Sequence, residues 1–293
     1  MSDTIKAAIW MTGAIVSFTS MAIAGRAVSL DLDTFEIMLY RSLIGVVIVM
    51  SVATFARTRR QITARNIPLH LMRNISHFAG QNLWFYSITV IPLAQVFALE
   101  FTLPLWVILL SPLVLGERLT PLRVLAALIG FAGILVVTRP SPDTFQFGQL
   151  TAALAAIGFA GSAVFTRRLT RTETITCILF YLTVMQSAFG LICAGIDGDI
   201  ALPTAANWPW IGLIACAGLL AHFCLTTALS MAPATVVMPI DFARLPVIAI
   251  VGMLVYNEAL DPFVFVGALL IFGGNYLNIW SETRRQPQIA TEK

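Results

Sequence analysis

Apolar runs long enough to cross a bilayer recur ten times along this chain. They occupy roughly residues 6–28, 34–55, 67–89, 93–115, 121–138, 148–169, 174–195, 209–231, 234–255 and 262–281. A helix needs about 20 mostly apolar residues to cross ~30 Å of hydrocarbon. These runs are too long for strands and lack the two-residue alternation of a membrane barrel. Only 11% of the 293 residues are charged, while 58% are hydrophobic. Soluble domains carry roughly 25% charge. Too few polar side chains remain to cover a soluble fold of this size. A soluble enzyme, a disordered chain and an ordinary nucleic-acid-binding protein are therefore excluded. The sequence predicts an all-α membrane protein of ten transmembrane helices, surrounded by the lipid bilayer.

The net charge of +3 belongs to loops and does not imply nucleic acid. Cys177, Cys193, Cys216 and Cys224 all fall inside apolar runs and read as small buried hydrophobes. Ala22-Ile23-Ala24 resembles a signal-peptidase site. Only Lys6 precedes that long apolar run, however, and the first segment is expected to be a retained helix.

Loop charge sets the expected orientation. Arg57, Arg59, Arg60 and Arg65 cluster between the second and third runs, and Arg167, Arg168 and Arg171 between the sixth and seventh. The remaining loops hold Asp31, Asp33, Asp143, Asp197, Asp199 and Asp261, with Arg139 as their clear cation. Positive loops stay inside. Both termini are thus expected in the cytoplasm, including a tail at 282–293, with the chain in the inner membrane.

The two halves align at one offset of 141 residues. Asn66 and Pro68 fall on Asn207 and Pro209; Pro92 falls on Pro233; Glu117, Leu119 and Pro121 fall on Glu258, Leu260 and Pro262. Shared hydrophobics mean little in membrane spans, but shared Asn-x-Pro and Glu-x-Leu-x-Pro at one offset are hard to obtain by chance. Each half, 5–138 and 148–281, holds five spans. An odd number predicts that the second half enters the membrane upside down. Loop charge changes sign between the halves, as inversion requires. Such inverted five-helix repeats place a substrate site near the midplane between them.

A charge near the centre of a membrane helix costs about 2.5–3.5 kcal/mol on insertion scales. The candidates are Arg41, Arg73, Glu100, Asp241 and Arg244. The offset lays Glu100 on Asp241, so two matching spans each carry an acid. Asp241 and Arg244 are spaced to pair on one helical face. These groups are expected to line a cavity and bind substrate or a coupling proton, or else to form ion pairs, Glu100 with Arg73 or Arg41 and Asp241 with Arg244.

In the third span, His70, Arg73, Asn74, His77 and Gln81 share one face. A polar face must look toward protein or water. His70 is expected in the headgroup zone. His77, Gln81 and Asn82 lie deeper and are candidates for the cavity. Neither His-x-x-x-His nor any comparable metal spacing occurs, and no metal site is expected. Phe78, Trp84, Phe85 and Tyr86 flank the stripe, chiefly as packing residues. Pro104 and Pro112 in the fourth span, with Pro239 and Pro246 in the ninth, are expected to kink their helices. Glu117 and Glu258, just before the prolines that open the next spans, are expected to be structural, each near a helix N-terminus.

The segments Ile91-Pro92-Leu93-Ala94, Pro104-Leu105-Trp106, Gly116-Glu117-Arg118-Leu119-Thr120, Met238-Pro239-Ile240-Asp241-Phe242-Ala243-Arg244-Leu245-Pro246 and Asn257-Glu258 carry a resemblance. Over about residues 5–281 the chain resembles the EamA-type families of the drug/metabolite transporter superfamily. The Asp-Phe-x-Arg-Leu-Pro stretch looks like a bacterial subgroup that includes S-adenosylmethionine and riboflavin carriers. The resemblance implies a secondary active transporter for a small polar or heterocyclic metabolite, with riboflavin the first candidate. S-adenosylmethionine or an amino acid is the alternative, in uptake or export. No P-loop is present, so ATP hydrolysis is not expected, nor is a bound cofactor. A membrane-embedded transferase is the weaker alternative: Asp31-Leu-Asp33 and Asp197-Gly-Asp199 are its only close acid pairs. The sequence says nothing of oligomeric state.

Overall fold

The computed structural model describes residues 3–29, 31–115, 121–139, 146–169, 171–196, 198–231 and 243–289. Among the described residues the chain forms helices and no strand. The helices are α1 (Asp3–Val28), α2 (Thr34–Phe55), α3 (Ile67–Val90), α4 (Leu93–Glu100), α5 (Leu103–Leu115), α6 (Pro121–Thr138), α7 (Phe147–Leu169), α8 (Ile175–Ala194), α9 (Trp208–Met231), α10 (Arg244–Tyr256) and α11 (Pro262–Ile289). Six described segments are long and apolar enough to cross a membrane, and three shorter apolar helices accompany them. Large aliphatic side chains such as Val47, Leu191 and Leu254 point outward at 66%, 55% and 72% exposure. Apolar surface on this scale is unsuited to water. The protein is a multi-pass membrane protein.

Local chemistry sets the helix ends. Asp33 and Glu36 form a reciprocal cap at the start of α2. Asp33 Oδ1 accepts from the Glu36 N–H at 2.8 Å, and the Asp33 N–H donates to Glu36 Oε2 at 2.9 Å. Pro68 lies in the first turn of α3, where no donor is lost. The second copies of the repeated prolines do the same work: Pro209 lies in the first turn of α9 and Pro262 opens α11. Asn257 closes α10 in the left-handed region, at φ 52°, a conformation Asn tolerates better than most residues.

The fourth apolar run is two helices rather than one. It breaks at Phe101 and Thr102, between α4 and α5. Pro104 stands in the opening turn of α5, and Pro246 in that of α10, so both start helices instead of kinking continuous ones. The break frees the Phe101 carbonyl, which Asn275 Nδ2 of α11 occupies at 2.9 Å. Helix α5 begins at Leu103 and α10 at Arg244, equivalent positions under the repeat, and each runs 13 residues. Pro239 and Asp241 lie outside the described residues, as does Glu117.

The packing has the same symmetry. Helix α1 packs on α9, and α3 on α7; the repeat exchanges these two pairs. Helix α2 packs on its own equivalent α8, and α6 on its own equivalent α11. At the α6–α11 crossing, a Cβ on Gly133 would sit 2.7 Å from the Gly267 carbonyl oxygen, and one on Gly274 would sit 2.6 Å from that of Ala126. The offset maps Gly133 onto Gly274 and Ala126 onto Gly267. The two contacts are therefore one contact made twice, as at an isologous interface. Residue numbers rise along α6 as those of its neighbours fall along α11, so the equivalent helices run antiparallel.

Candidate functional site

The membrane charges converge on one region where α1, α2, α3, α4, α7, α9 and α10 meet. Two groups of side chains fill it. The first surrounds Arg244, the opening residue of α10. Its Nη2 lies 3.1 Å from Glu100 Oε1, at the end of α4, and its side chain is 4% exposed. Trp84 Nε1 of α3 donates to Glu100 Oε2 at 2.8 Å. The Arg244 guanidinium also lies 4.8, 4.9 and 5.1 Å from the rings of Phe18, Phe97 and Phe101. Removing a charge from water costs several kcal/mol even after relaxation. A paired carboxylate and three ring faces offset that cost, since desolvated cation–π contacts reach ~2 kcal/mol. Glu100 thus pairs with Arg244, not with Arg41 or Arg73 as expected. The helix break explains this: it ends α4 at Glu100, in reach of the helix start at Arg244. The expected Asp241–Arg244 pair involves a residue outside those described.

The second group is basic. Arg41 of α2, Arg73 and His77 of α3, and His222 of α9 belong to it, and Arg41 Nη1 lies 3.7 Å from the Cβ position of Gly218, one turn before His222. Arg73 donates from Nε to Thr166 Oγ1 at 3.2 Å and from Nη1 to Asn74 Oδ1 at 3.0 Å. Among the described residues no carboxylate pairs with Arg41 or Arg73. The rings of His77 and His222 lie 5.9 Å apart. Phe159 packs beside His77 at 5.9 Å, and Phe18 meets His222 edge-on at 5.7 Å. The guanidinium of Arg41 lies over Phe85 at 5.9 Å. Phe18 thereby touches both groups.

The stripe on α3 is buried as its spacing predicts, with Arg73, His77, Gln81 and Asn82 at no more than 9% exposure. Asn82 turns back to the Phe78 carbonyl at 2.8 Å and serves its own helix. His70 is fully buried, 4.4 Å from the Tyr181 ring. The α7–α8 turn folds over it and brings Glu173 and Cys177 beside it, their ligand-type atoms within 4.8 Å of one another. Such a grouping could accept a metal, although the sequence spacing gave no sign of it. The Glu173 carboxylate is already bound by Asn66 Nδ2 at 2.5 Å and Thr63 Oγ1 at 2.9 Å. Burial pushes its pKa up, but hydrogen bonds from Asn66, Thr63 and Cys177, with the nearby His70, outweigh burial and hold it below the usual carboxylate value. The grouping ties the α2–α3 loop to the α7–α8 turn.

Glu258 reaches the N-terminus of α4, where the Leu93 N–H donates to Oε2 at 2.9 Å. It also pairs with Arg26, whose Nη2 donates to the Ile91 carbonyl at 2.6 Å. The expected helix-terminus carboxylate is present, but the helix it caps lies in the other half of the chain. Sequence reasoning missed Phe18, Phe159 and the role of His222. The offset places Phe18 on Phe159, but in an apolar span one shared phenylalanine is no signal.

The sequence profile of the EamA-like transporter family matches this chain twice, at residues 5–139 and 146–280. The chain belongs to that family. Among curated relatives of this EamA-like protein, a riboflavin transporter from Brucella anthropi is 34% identical over 220 residues, 74% of this chain and 78% of its own. An S-adenosylmethionine uptake transporter from Rickettsia bellii is 23% identical over 285 residues, 94% of each chain. A solved crystal structure superposes with a TM-score of 0.66 at 20% identity, covering 95% of this chain and 98% of its own, which supports the fold alone.

Proposed function

We propose that this EamA-like protein is a secondary active carrier of riboflavin in the bacterial inner membrane. The observation that carries the substrate is the riboflavin transporter relative, 34% identical over 74% of this chain. Donors on Arg41, His77 and His222 stand beside the rings of Phe85, Phe159 and Phe18, a combination of groups suited to a flat heterocycle. Residues 5–138 and 148–281 are two inverted five-helix repeats, ten spans in all, with both termini and the tail 282–293 cytoplasmic. Antiparallel contacts between α6 and α11 support the inversion, and the arginines at 57, 59 and 60 support the orientation. Transport proceeds by alternating rocking of one repeat against the other around the fixed site. Arg41, Arg73, His77 and Gln81 bind substrate. Glu100, Arg244 and Asp241 hold or couple the site, while Asn82, Glu258, Glu117 and the prolines are structural.

S-adenosylmethionine is the second reading, because the relatives named for it match 94% or more of this chain. The test is uptake of each labelled compound into proteoliposomes holding the purified protein. Saturable riboflavin uptake without chemical change supports the first reading. Uptake of S-adenosylmethionine alone, or chemical conversion of riboflavin, overturns it.

A further inference from the structure

We propose that Arg41, Arg73, His77 and His222 form the end of the substrate site that reads an acceptor-rich edge, the dioxopyrimidine side of the flavin ring, with the arginines on its carbonyl oxygens and an imidazole nitrogen accepting from its one N–H. The proposal rests on the riboflavin reading and deepens it.

Three observations carry it. The first is composition. Buried Arg73 and His77 share one region with half-buried Arg41 and His222, and no described carboxylate pairs with either arginine. Guanidinium only donates hydrogen bonds. Holding two such cations inside the helices with no acid partner among the described residues is costly, and an acceptor-rich ligand offsets that cost where a cationic one would add to it. The second is the separation of charge. Arg244, which is also buried, is held by Glu100 and three aromatic rings. Arg41 has no hydrogen bond or ion pair to a described residue, only the Phe85 ring at 5.9 Å. Arg73 is aimed by Thr166 and Asn74. Arg244 is thus charge-paired within the protein, while Arg41 and Arg73 have no carboxylate partner among the described residues.

The third observation chooses among acceptor-bearing ligands. Phe159 packs at a tilt on His77, Phe18 meets His222 edge-on and Phe85 lies beneath Arg41, so an aromatic ring adjoins each of these three donors. Free phosphate has no use for such rings. A planar ring whose carbonyl oxygens and ring nitrogen line one side uses both, its edge on the donors and its face on the phenylalanines. A sulfonium ligand would bring positive charge to the same place.

The experiment is equilibrium binding to the purified full-length protein, read by quenching of flavin fluorescence. Competitors are lumiflavin, which keeps the ring and lacks the ribityl chain, ribitol, which lacks the ring, and inorganic phosphate. We expect lumiflavin to displace riboflavin, while ribitol and phosphate do not. Arg41→Gln and Arg73→Gln should each raise Kd for riboflavin and lumiflavin by the same factor, about 10- to 100-fold, the scale of a charge-assisted hydrogen bond. Arg41→Lys and Arg73→Lys should fall between. Displacement by ribitol and not by lumiflavin overturns the proposal, as does displacement by phosphate. Competition against the wild type reads the chemistry even if a variant misfolds. Wild-type riboflavin binding with unchanged Kd in both Gln variants overturns the edge assignment and leaves the riboflavin reading standing. Wild type that binds neither flavin overturns both.

Discussion

Phe18 is the side chain through which the two charged groups of the site touch. Its ring meets His222 at 5.7 Å and lies 4.8 Å from the Arg244 guanidinium. Phe18→Ala should therefore disturb binding and the Glu100–Arg244 pair together. Loss of one desolvated cation–π contact predicts about 1–2 kcal/mol of destabilisation, on top of the lost packing. Arg244→Gln removes the ion pair itself, taking the guanidinium from a Glu100 carboxylate that Trp84 also holds. Breaking one side of a buried pair typically costs about 3–5 kcal/mol. Thermal unfolding of the detergent-solubilised protein should show a lowered midpoint for both variants. A wild-type midpoint for Arg244→Gln would contradict the ion-pair assignment. Glu173 supplies a pH test. Its pKa is lowered in the folded state, so its stabilising effect is present above the ordinary carboxylate value and is lost as pH falls through the folded pKa. Glu173→Gln should lower the unfolding midpoint at pH 7. That difference from wild type should shrink in acid, below about pH 4. A difference independent of pH would mean that the carboxylate charge contributes nothing to the tie.

Helix starts were legible because their causes are local. Asp33 and Glu36 cap α2 within one turn, and Pro68 and Pro262 stand at the openings of α3 and α11. Pairing between helices was not legible, because it depends on which faces meet. Glu258 illustrates the difference. Its place beside Asn257 and Pro262 suggests a local hairpin device, yet its carboxylate serves Leu93 and Arg26 in the first half of the chain. The break after Glu100 was equally hidden. Pro104 and Pro112 mark an irregular span, but only the seat of the Phe101 carbonyl on Asn275 shows where the backbone parts. Glu258→Gln keeps an oxygen for Leu93 and loses the charge facing Arg26. It should destabilise the protein by about 1–3 kcal/mol, less than a fully buried pair because both side chains are 14–15% exposed. Glu258→Ala, which loses both contacts, should cost more. If the two variants unfold at one temperature, the cap on α4 has no measurable weight.

The repeat organises these elements into one molecule, and a single geometric fact ties it to orientation. Equivalent helices α6 and α11 cross antiparallel, with Gly133 and Gly274 exchanging one contact. A parallel repeat would bring corresponding helices through the membrane in the same sense. An inverted one requires the loop at 56–66 and its equivalent at 197–207 to lie on opposite faces. Their charges agree: the first holds Arg57, Arg59, Arg60 and Arg65, the second Asp197 and Asp199. Single cysteines placed at Arg60 and at Asp199, in a chain whose four native cysteines are replaced, turn this into a measurement. In intact cells stripped of their outer membrane, an impermeant maleimide should label Asp199→Cys and leave Arg60→Cys unlabelled. After permeabilisation both should label. Labelling of both positions in intact cells, or of neither, would place the loops on one face and remove the inversion. The same crossing predicts its own sensitivity. Gly133→Leu would drive a side chain against the Gly267 carbonyl, where the contact is backbone and cannot turn aside. Gly273, with open space around its Cβ position, is the control on the same helix pair. Gly133→Leu should therefore sharply reduce folded protein while Gly273→Leu is tolerated. Equal yields of both would mean that α6 and α11 approach less closely than their shared contact requires.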